Sequence, residues 1–238
     1  MKVDILAIGV HPDDVELSCS GTLLKAVQAG KTTAILDLTR GEMGTRGTPE
    51  LRKIEATNAG KILGVSDRII LDMGDGLFEH NNENMLEIVK HIRYYQPDIV
   101  LINAEKDRHP DHGRAGKLTA DACFYAGLKK IETKWEGVTQ SAHRPKNVYH
   151  YIQDYYTEPH LIVDVSSVWE DKIKSILAYS SQFYNPNSNE AETPISSKSF
   201  LDFINGRGSQ FGRVINATFG EGYTMARPAG VKQIFDAI

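Results

Sequence analysis

Val3-Asp4-Ile5-Leu6-Ala7-Ile8-Gly9-Val10 runs straight into His11-Pro12-Asp13-Asp14. The apolar run Val3–Val10 is short, β-rich and bounded by a turn signal, so it reads as a buried strand. Asp14–Ala29 follows with Val15, Leu23, Leu24, Ala26 and Val27 at helical spacing and Gly30 as the stop. The alternation continues outward. Thr32–Leu38, Arg68–Leu71 and Asp98–Asn103 read as strands. Glu50–Leu63, Asn84–Tyr95 and Arg114–Leu128 read as helices, the first ended by Gly64 and the second closing before Pro97. This repeating pattern predicts an α/β fold, a Rossmann-like, doubly wound and mostly parallel sheet with helices on both faces. The second half is less regular. Asn147–Gln153 and Leu161–Val165 look like strands, Val168–Tyr179 and Ser197–Phe211 like helices, and the Asn-, Ser- and Pro-rich Tyr184–Thr193 like a loop or flap. No repeat or linker-like shift in composition divides the chain, so one domain over residues 1–238 is expected, its irregular part from about residue 140 completing a pocket.

The chain has 238 residues, and its 27 basic and 31 acidic side chains leave a net charge of −4. So mild an acidity argues against non-specific binding to nucleic acid or to an anionic membrane. Only Cys19 and Cys123 are present, which excludes a disulfide framework and a cysteine-rich zinc module and fits the reducing cytosol. The apolar N-terminal run is interrupted by Asp4, and no later stretch approaches about 18 apolar residues, so neither signal peptide nor membrane span is expected. Eight histidines remain to be placed.

Two clusters gather three of them. His11-Pro12-Asp13-Asp14 follows the first strand, and His109-Pro110-Asp111-His112 follows the Asp98–Asn103 strand by a few residues. Ligands of parallel sheets bind beyond the carboxyl ends of the strands near a topological switch point, and two adjacent inner strands bring both clusters together there. Neutral imidazole plus carboxylate is the ligand set of catalytic zinc, with three protein groups and an open position. His11 and Asp14, three residues apart across a strand-to-helix turn, and His112 supply such a set. Asp13 is left beside the metal as general base, His109 as general acid, and Asp111 to orient His109. Singly, Asp13 or Asp14 reads as a helix N-cap or first-turn acid. Two such clusters, each at a predicted strand end, are not explained that way. His80, His91, His150 and His160 read as surface or core residues.

These residues resemble the LmbE/PIG-L type zinc-dependent N-deacetylases. The resemblance is carried by His11-Pro12-Asp13-Asp14-Val15-Glu16, Gly21-Thr22, Gly30 and His109-Pro110-Asp111-His112. It extends through Leu38–Glu42, Leu51–Glu55, Gly74-Asp75-Gly76 and Tyr179–Phe183. It implies zinc on His11, Asp14 and His112, Asp13 as base, and His109, backed by Asp111, stabilising the tetrahedral intermediate or protonating the leaving amine. It further implies Arg52 and Asp75 on sugar hydroxyls, Ser18 and Glu42 in the pocket wall, and Arg108 and Arg144 meeting substrate carboxylates or released acetate. Within the family the sequence is most similar to the bacillithiol-pathway branch, which deacetylates N-acetylglucosaminyl L-malate and whose close relatives are hexameric. A small amino-sugar substrate, one zinc per chain and a homo-oligomer are therefore expected. One position departs: where some relatives carry an oxyanion-donating Tyr, this chain has Asp107, and the equivalent flap position is Phe200. The metal, His109 or a mobile Arg is left to fill that role.

Simpler readings stand beside these. Arg52 and Glu55, i and i+3 on a helix, also fit a surface ion pair, Asp75 between glycines a turn, and Arg144 before Pro145 a solvated loop residue. Gly41–Gly47 lacks the spacing of a phosphate-binding loop, and the first βα turn holds histidine and aspartates where a dinucleotide fingerprint needs glycines. Another N-acetylglucosaminide deacetylase and a non-catalytic metal- or carbohydrate-binding module remain as alternatives. A His/Asp set also accepts Fe(II), Mn(II) or Co(II).

Overall fold

The first strand, β1 (Ile5–Gly9), is buried along its whole length. Its side chains alternate between two cores: Ile5 and Ala7 join one apolar cluster, Leu6 and Ile8 the other. A strand covered on both faces needs helices above and below it, and the chain supplies them. A computed structural model describes residues 1–233, so the last five residues of the expected domain lie outside the described residues. Strands β2 (Thr33–Asp37), β3 (Asp67–Ile70) and β4 (Ile99–Ile102) alternate with helices α1 (Asp14–Ser18), α2 (Ser20–Gln28), α3 (Pro49–Leu63), α4 (Asn82–Tyr95) and α5 (Pro110–Ala126). A small hairpin, β5 (Lys134–Trp135) and β6 (Val138–Thr139), precedes β7 (Asn147–Tyr151) and β8 (Leu161–Asp164). The chain then forms α6 (Trp169–Leu177), α7 (Lys198–Val214) and β9 (Gly220–Thr224).

The main sheet runs β3-β2-β1-β4-β7-β9-β8. The first five strands in that order are parallel, and β9 is antiparallel to both its neighbours. Helices α2, α3, α6 and α7 contribute Leu23, Ala59, Ile176 and Ile204 to one core, and α4 and α5 contribute Ile88 and Leu118 to the other. The expected doubly wound, mostly parallel fold is therefore present. The chain winds outward from β1 to β3 and returns to the other side of β1 at β4, so the switch point lies between β1 and β4. No helix among the described residues is long and apolar enough to cross a membrane.

Local differences from the expected elements have physical causes. The helix expected over Asp14–Ala29 breaks at Cys19. Glu221 on β9 accepts the N–H groups of Gly21 and Thr22 at the start of α2, at 2.8 and 2.7 Å. Lys172 on α6 donates to the carbonyls of Glu16 and Leu17 at the end of α1, at 2.9 and 3.0 Å. The two side chains bond each other at 2.8 Å while almost wholly buried. An anion thus meets one helix's N-terminus and a cation the preceding helix's C-terminus, as the helix dipoles favour. Helix α5 starts at Pro110 rather than at Arg114, because His109 takes the N-cap position and proline suits the first turn. Strand β9 and the β5–β6 hairpin have no counterpart in the periodicity; β9, Gly220-Glu221-Gly222-Tyr223-Thr224, carries two glycines and lacks an apolar run.

Replacing Lys172 by Met strands Glu221 as a buried charge, and loss of one partner from such a pair costs about 3–5 kcal/mol. Urea unfolding of Lys172→Met measures it; a loss below about 1 kcal/mol, the range of exposed pairs, contradicts the role given to this ion pair.

Candidate active site

Asp14 occupies the first turn of α1, directly after β1, and is buried. Its Oδ2 accepts the backbone N–H of Val10 at 3.0 Å and of His11 at 2.9 Å, and the side-chain amide of Asn103 at 3.0 Å. Its Oδ1 accepts the side-chain amide of Gln153 at 2.7 Å. Asn103 follows β4 and Gln153 follows β7, so one carboxylate gathers donors from the ends of three parallel strands. Burial pushes its pKa up, but the imidazoles of His112 and His11 and the donated N–H groups hold it far below the usual carboxylate range.

The two histidines nearest Asp14 are clamped in the same manner. His11 Nδ1 lies 3.8 Å from Asp14 Oδ2, while its Nε2 is 2.9 Å from Asp75 Oδ1 and 3.5 Å from Asp111 Oδ2. His112 Nε2 lies 3.3 Å from Asp14 Oδ1, while its Nδ1 is 2.5 Å from Asp107 Oδ2. Burial opposes protonation of both rings, yet the hydrogen-bonded Asp111 and Asp75 push His11 up to about 10, and Asp14 and Asp107 push His112 up to about 9. The surrounding carboxylates create a strong demand for positive charge. Two sets of donor atoms, on His11, His109 and His112 and on His11, Asp75 and Asp111, each lie within 4.8 Å of one another, close enough to hold one metal ion.

Asp13 sits beside this cluster in an unusual conformation. Its φ is 123°, a region that non-glycine residues seldom adopt. Its Oδ2 accepts from Arg52 Nη2 at 2.9 Å, and both side chains are buried. Burial pushes the Asp13 carboxyl up to about 7; Arg52 opposes the shift and Asp14 adds to it. His109 caps α5, its Nδ1 accepting the backbone N–H of Asp111 at 3.3 Å. That bond assigns the hydrogen of a neutral ring to Nε2. Burial, then the neighbouring His11 and His112, keep its pKa low.

These groups form one side of a cavity of about 330 Å³. Its other wall is apolar, built from Leu17 on α1 and from Ile195, Phe200, Phe203 and Ile204 in the C-terminal third. The segment Tyr184–Thr193 is bonded to the stretch before α3: Arg46 donates to Ser188 and Glu190, and Gly47 N–H to Glu190 at 3.0 Å.

Of the residues singled out in the sequence, His11, Asp13, Asp14, Arg52, Asp75, Arg108, His109 and His112 line the cavity. Several partners differ from expectation. The Asp111 side chain does not orient His109: it accepts from Gly76 N–H at 2.8 Å and Arg114 at 2.9 Å, and only its backbone bonds the His109 ring. Arg52 and Glu55 are not a surface pair; Glu55 is buried and accepts from Ser180 and Ser181, fastening the segment after α6. Glu42 stands behind the wall, holding the backbone of Asp75 at 2.7 Å. Arg108 bonds Asp154. Ser18 faces a separate small void, and its Oγ has no partner there. Arg144 lies outside the cavity, stacked over Phe124 near the far end of α5, because its guanidinium bonds the Phe124 carbonyl at 2.9 Å. Asp107 lines the cavity too, but both its oxygens are engaged: one bonds His112, the other accepts the N–H groups of Asp154 and Tyr155. Asn103, Gln153 and Arg207 are not marked by the sequence patterns. The available signal for the first two is a lone amide side chain ending an apolar strand.

The class is that of a doubly wound α/β sheet with a buried His/Asp cluster at its switch point. A family model described as GlcNAc-PI de-N-acetylase (PIG-L) matches residues 6–123. The diacetylchitobiose deacetylase of Thermococcus kodakarensis is 33% identical over 189 residues, covering 75% of this chain and 70% of the relative. A probable N-acetyl-α-D-glucosaminyl L-malate deacetylase 2 of Bacillus anthracis is 26% identical, covering 75% and 81%. The crystal structure of a conserved protein of Thermus thermophilus superposes with a TM-score of 0.86 at 32% identity over 98% of both chains. The chain belongs to the PIG-L/LmbE family of deacetylases.

Asn103→Ala removes a donor from the buried Asp14 carboxylate and one of the two acceptors of Val10 N–H. A hydrogen bond to a charged group contributes about 1.5–3 kcal/mol, so denaturant unfolding is expected to show a loss of that size. An unchanged midpoint contradicts the central place given to Asp14.

Proposed function

We propose that the protein is a zinc-dependent N-deacetylase that hydrolyses the acetamide of an N-acetylglucosamine conjugate, releasing acetate and the free amine. The observation that carries this reading is the convergence of His11, Asp14 and His112 on the cavity floor with Asp13 beside them.

Asp14 belongs to neither of the two donor clusters that lie within 4.8 Å, but both histidines turn a nitrogen toward it, which supports His11, Asp14 and His112 as the donors of a divalent metal. His11 Nδ1 and His112 Nε2 both face Asp14, and the remaining nitrogen of each ring is held by a carboxylate, Asp75 or Asp107. Metal-ligating histidines are held in the same way by second carboxylates, which set the ring orientation and leave the other nitrogen bare. Three protein groups opening on a cavity match a catalytic rather than a structural zinc site. Fe(II), Mn(II) or Co(II) suits the same donors. When bound, the metal supplies Lewis acidity, polarising the amide carbonyl and lowering the pKa of water.

The chain's own groups supply the rest. Asp13 takes the proton of the attacking water, and Arg52 fixes the carboxylate that does so. His109 presents Nε2–H to the carbonyl oxygen as charge develops on it, or hands that proton to the departing amine. Asp107, where some relatives carry an oxyanion-donating Tyr, instead holds His112 and accepts two backbone N–H groups, so the oxyanion is left to the metal and His109. The apolar wall of Phe200 and Phe203 offers a face to the sugar ring. For the aglycone, N-acetylglucosaminyl L-malate is supported by the Bacillus anthracis relative. A second reading, an N,N'-diacetylchitobiose-type substrate, is favoured by the higher identity to the Thermococcus protein.

Asp13→Asn is expected to keep its zinc and lose acetate release by about 100-fold or more, the usual contribution of a general base. Full turnover removes Asp13 from that role. His11→Ala is expected to lose the metal itself, measured as zinc per chain after dialysis; unaltered stoichiometry sinks the ligand assignment.

A further inference from the structure

The cations on the cavity wall differ in how they are used. Arg52 is bonded to Asp13, and Arg108 to Asp154. Arg207, on α7, lies between this cavity and the small void beside Ser18 and Glu221, and meets no carboxylate at ion-pair distance among the described residues. Its Nη2 reaches the Leu17 carbonyl only at 3.4 Å. Its Nη1 is buried with no hydrogen-bond partner, and the guanidinium stands 5.2 Å from the centre of the Phe203 ring. A charge withdrawn from water is costly unless it is paired. Burial lowers the pKa of Arg207 to about 10 against the opposing charges of Asp154, Asp107 and Glu221, which leaves it protonated at neutral pH with no carboxylate at bonding distance among the described residues.

The apolar wall sharpens this need. Phe203, whose ring lies under the guanidinium, and the buried Ile204 flank Arg207 on the same helix. In such surroundings an incoming anion gains more than it does at an exposed arginine, and the planar fork of N–H groups matches carboxylate or phosphate oxygens. The acidic floor of the cavity has no use for an anion. The far end of a substrate whose acetamide lies on that floor does.

We infer that Arg207 is a specificity residue that pairs with an anionic group, a carboxylate or a phosphate, on the aglycone of the amino-sugar substrate. This rests on the deacetylase reading above and deepens it, because it separates acidic from neutral conjugates. A neutral disaccharide leaves Arg207 unpaired; a hydroxy-acid or phosphate conjugate does not.

The test is calorimetric binding of deacetylated sugars, which needs no turnover, to the zinc-loaded wild type and to Arg207→Gln. The probes are methyl α-D-glucosaminide, glucosaminyl L-malate and glucosamine 1-phosphate. The wild type is expected to bind an acidic sugar about tenfold or more tightly than the methyl glycoside, the size of one charge-assisted pair. The malate and phosphate arms identify which anion it takes. Arg207→Gln is expected to abolish that preference with no fall in melting temperature, and Arg207→Lys to restore part of it. Equal binding of acidic and neutral sugars by the wild type overturns the inference. So does a uniform loss in Arg207→Gln, the mark of a structural role such as a buried water shared with Ser18 Oγ. Acetate release from methyl N-acetylglucosaminide by the wild type reports separately on the deacetylase reading.

Discussion

The Asp14 carboxylate holds the ends of β1, β4 and β7 together. A parallel sheet opens at its switch point, where neighbouring strand ends diverge and their backbone groups lose sheet partners. Here Val10 and His11 N–H, the Asn103 amide and the Gln153 amide all end on one buried charge. Left without those donors, the charge is prohibitively costly to bury. With them it stays ionised and draws His11 and His112 inward. Fold and site therefore share one interaction, and the chain cannot close its switch point without also assembling the metal-competent cluster.

Other costs follow from the same arrangement. Asp14 is held on the first helical turn straight after the strand, which leaves Asp13 at positive φ and its side chain in the cavity. Strain of this kind persists only where the surroundings over-determine it, and Arg52 supplies that restraint. The C-terminal third contributes in two ways. Lys172 and Glu221 break the first helix so that α1 ends beside the cavity. Helix α7 then lays Phe203, Ile204 and Arg207 along the opposite wall. The acidic floor comes from the first half of the chain, and the apolar, cationic wall mainly from its last third.

The parallel half of the sheet is legible in the sequence because both faces of each inner strand are buried, which writes an unbroken apolar run into Val3–Val10 and Asp98–Asn103. The two histidine clusters are legible because their residues fall directly after those runs. Partners far apart in the chain are not. Nothing local marks Glu221 as the anion that starts α2. Strand β9 escapes because its glycines answer to close packing against α7 rather than to periodicity: a Cβ at Gly220 meets the Gly212 backbone nitrogen at 2.9 Å. Arg144 misleads in the opposite sense. The family resemblance points to it as a substrate contact, but its guanidinium has Phe124 to stack on and a carbonyl to bond.

The account turns on which side chains hold the metal, and three donor sets compete within a few ångströms of His11. Anomalous scattering at the zinc edge, from crystals of the zinc-loaded protein, decides between them. The account predicts a single strong peak within bonding reach of His11 Nδ1, Asp14 and His112 Nε2, with His109 and Asp13 free on the cavity side. No peak at the switch point, or one held by His109 or by Asp75 and Asp111 in place of Asp14, contradicts it.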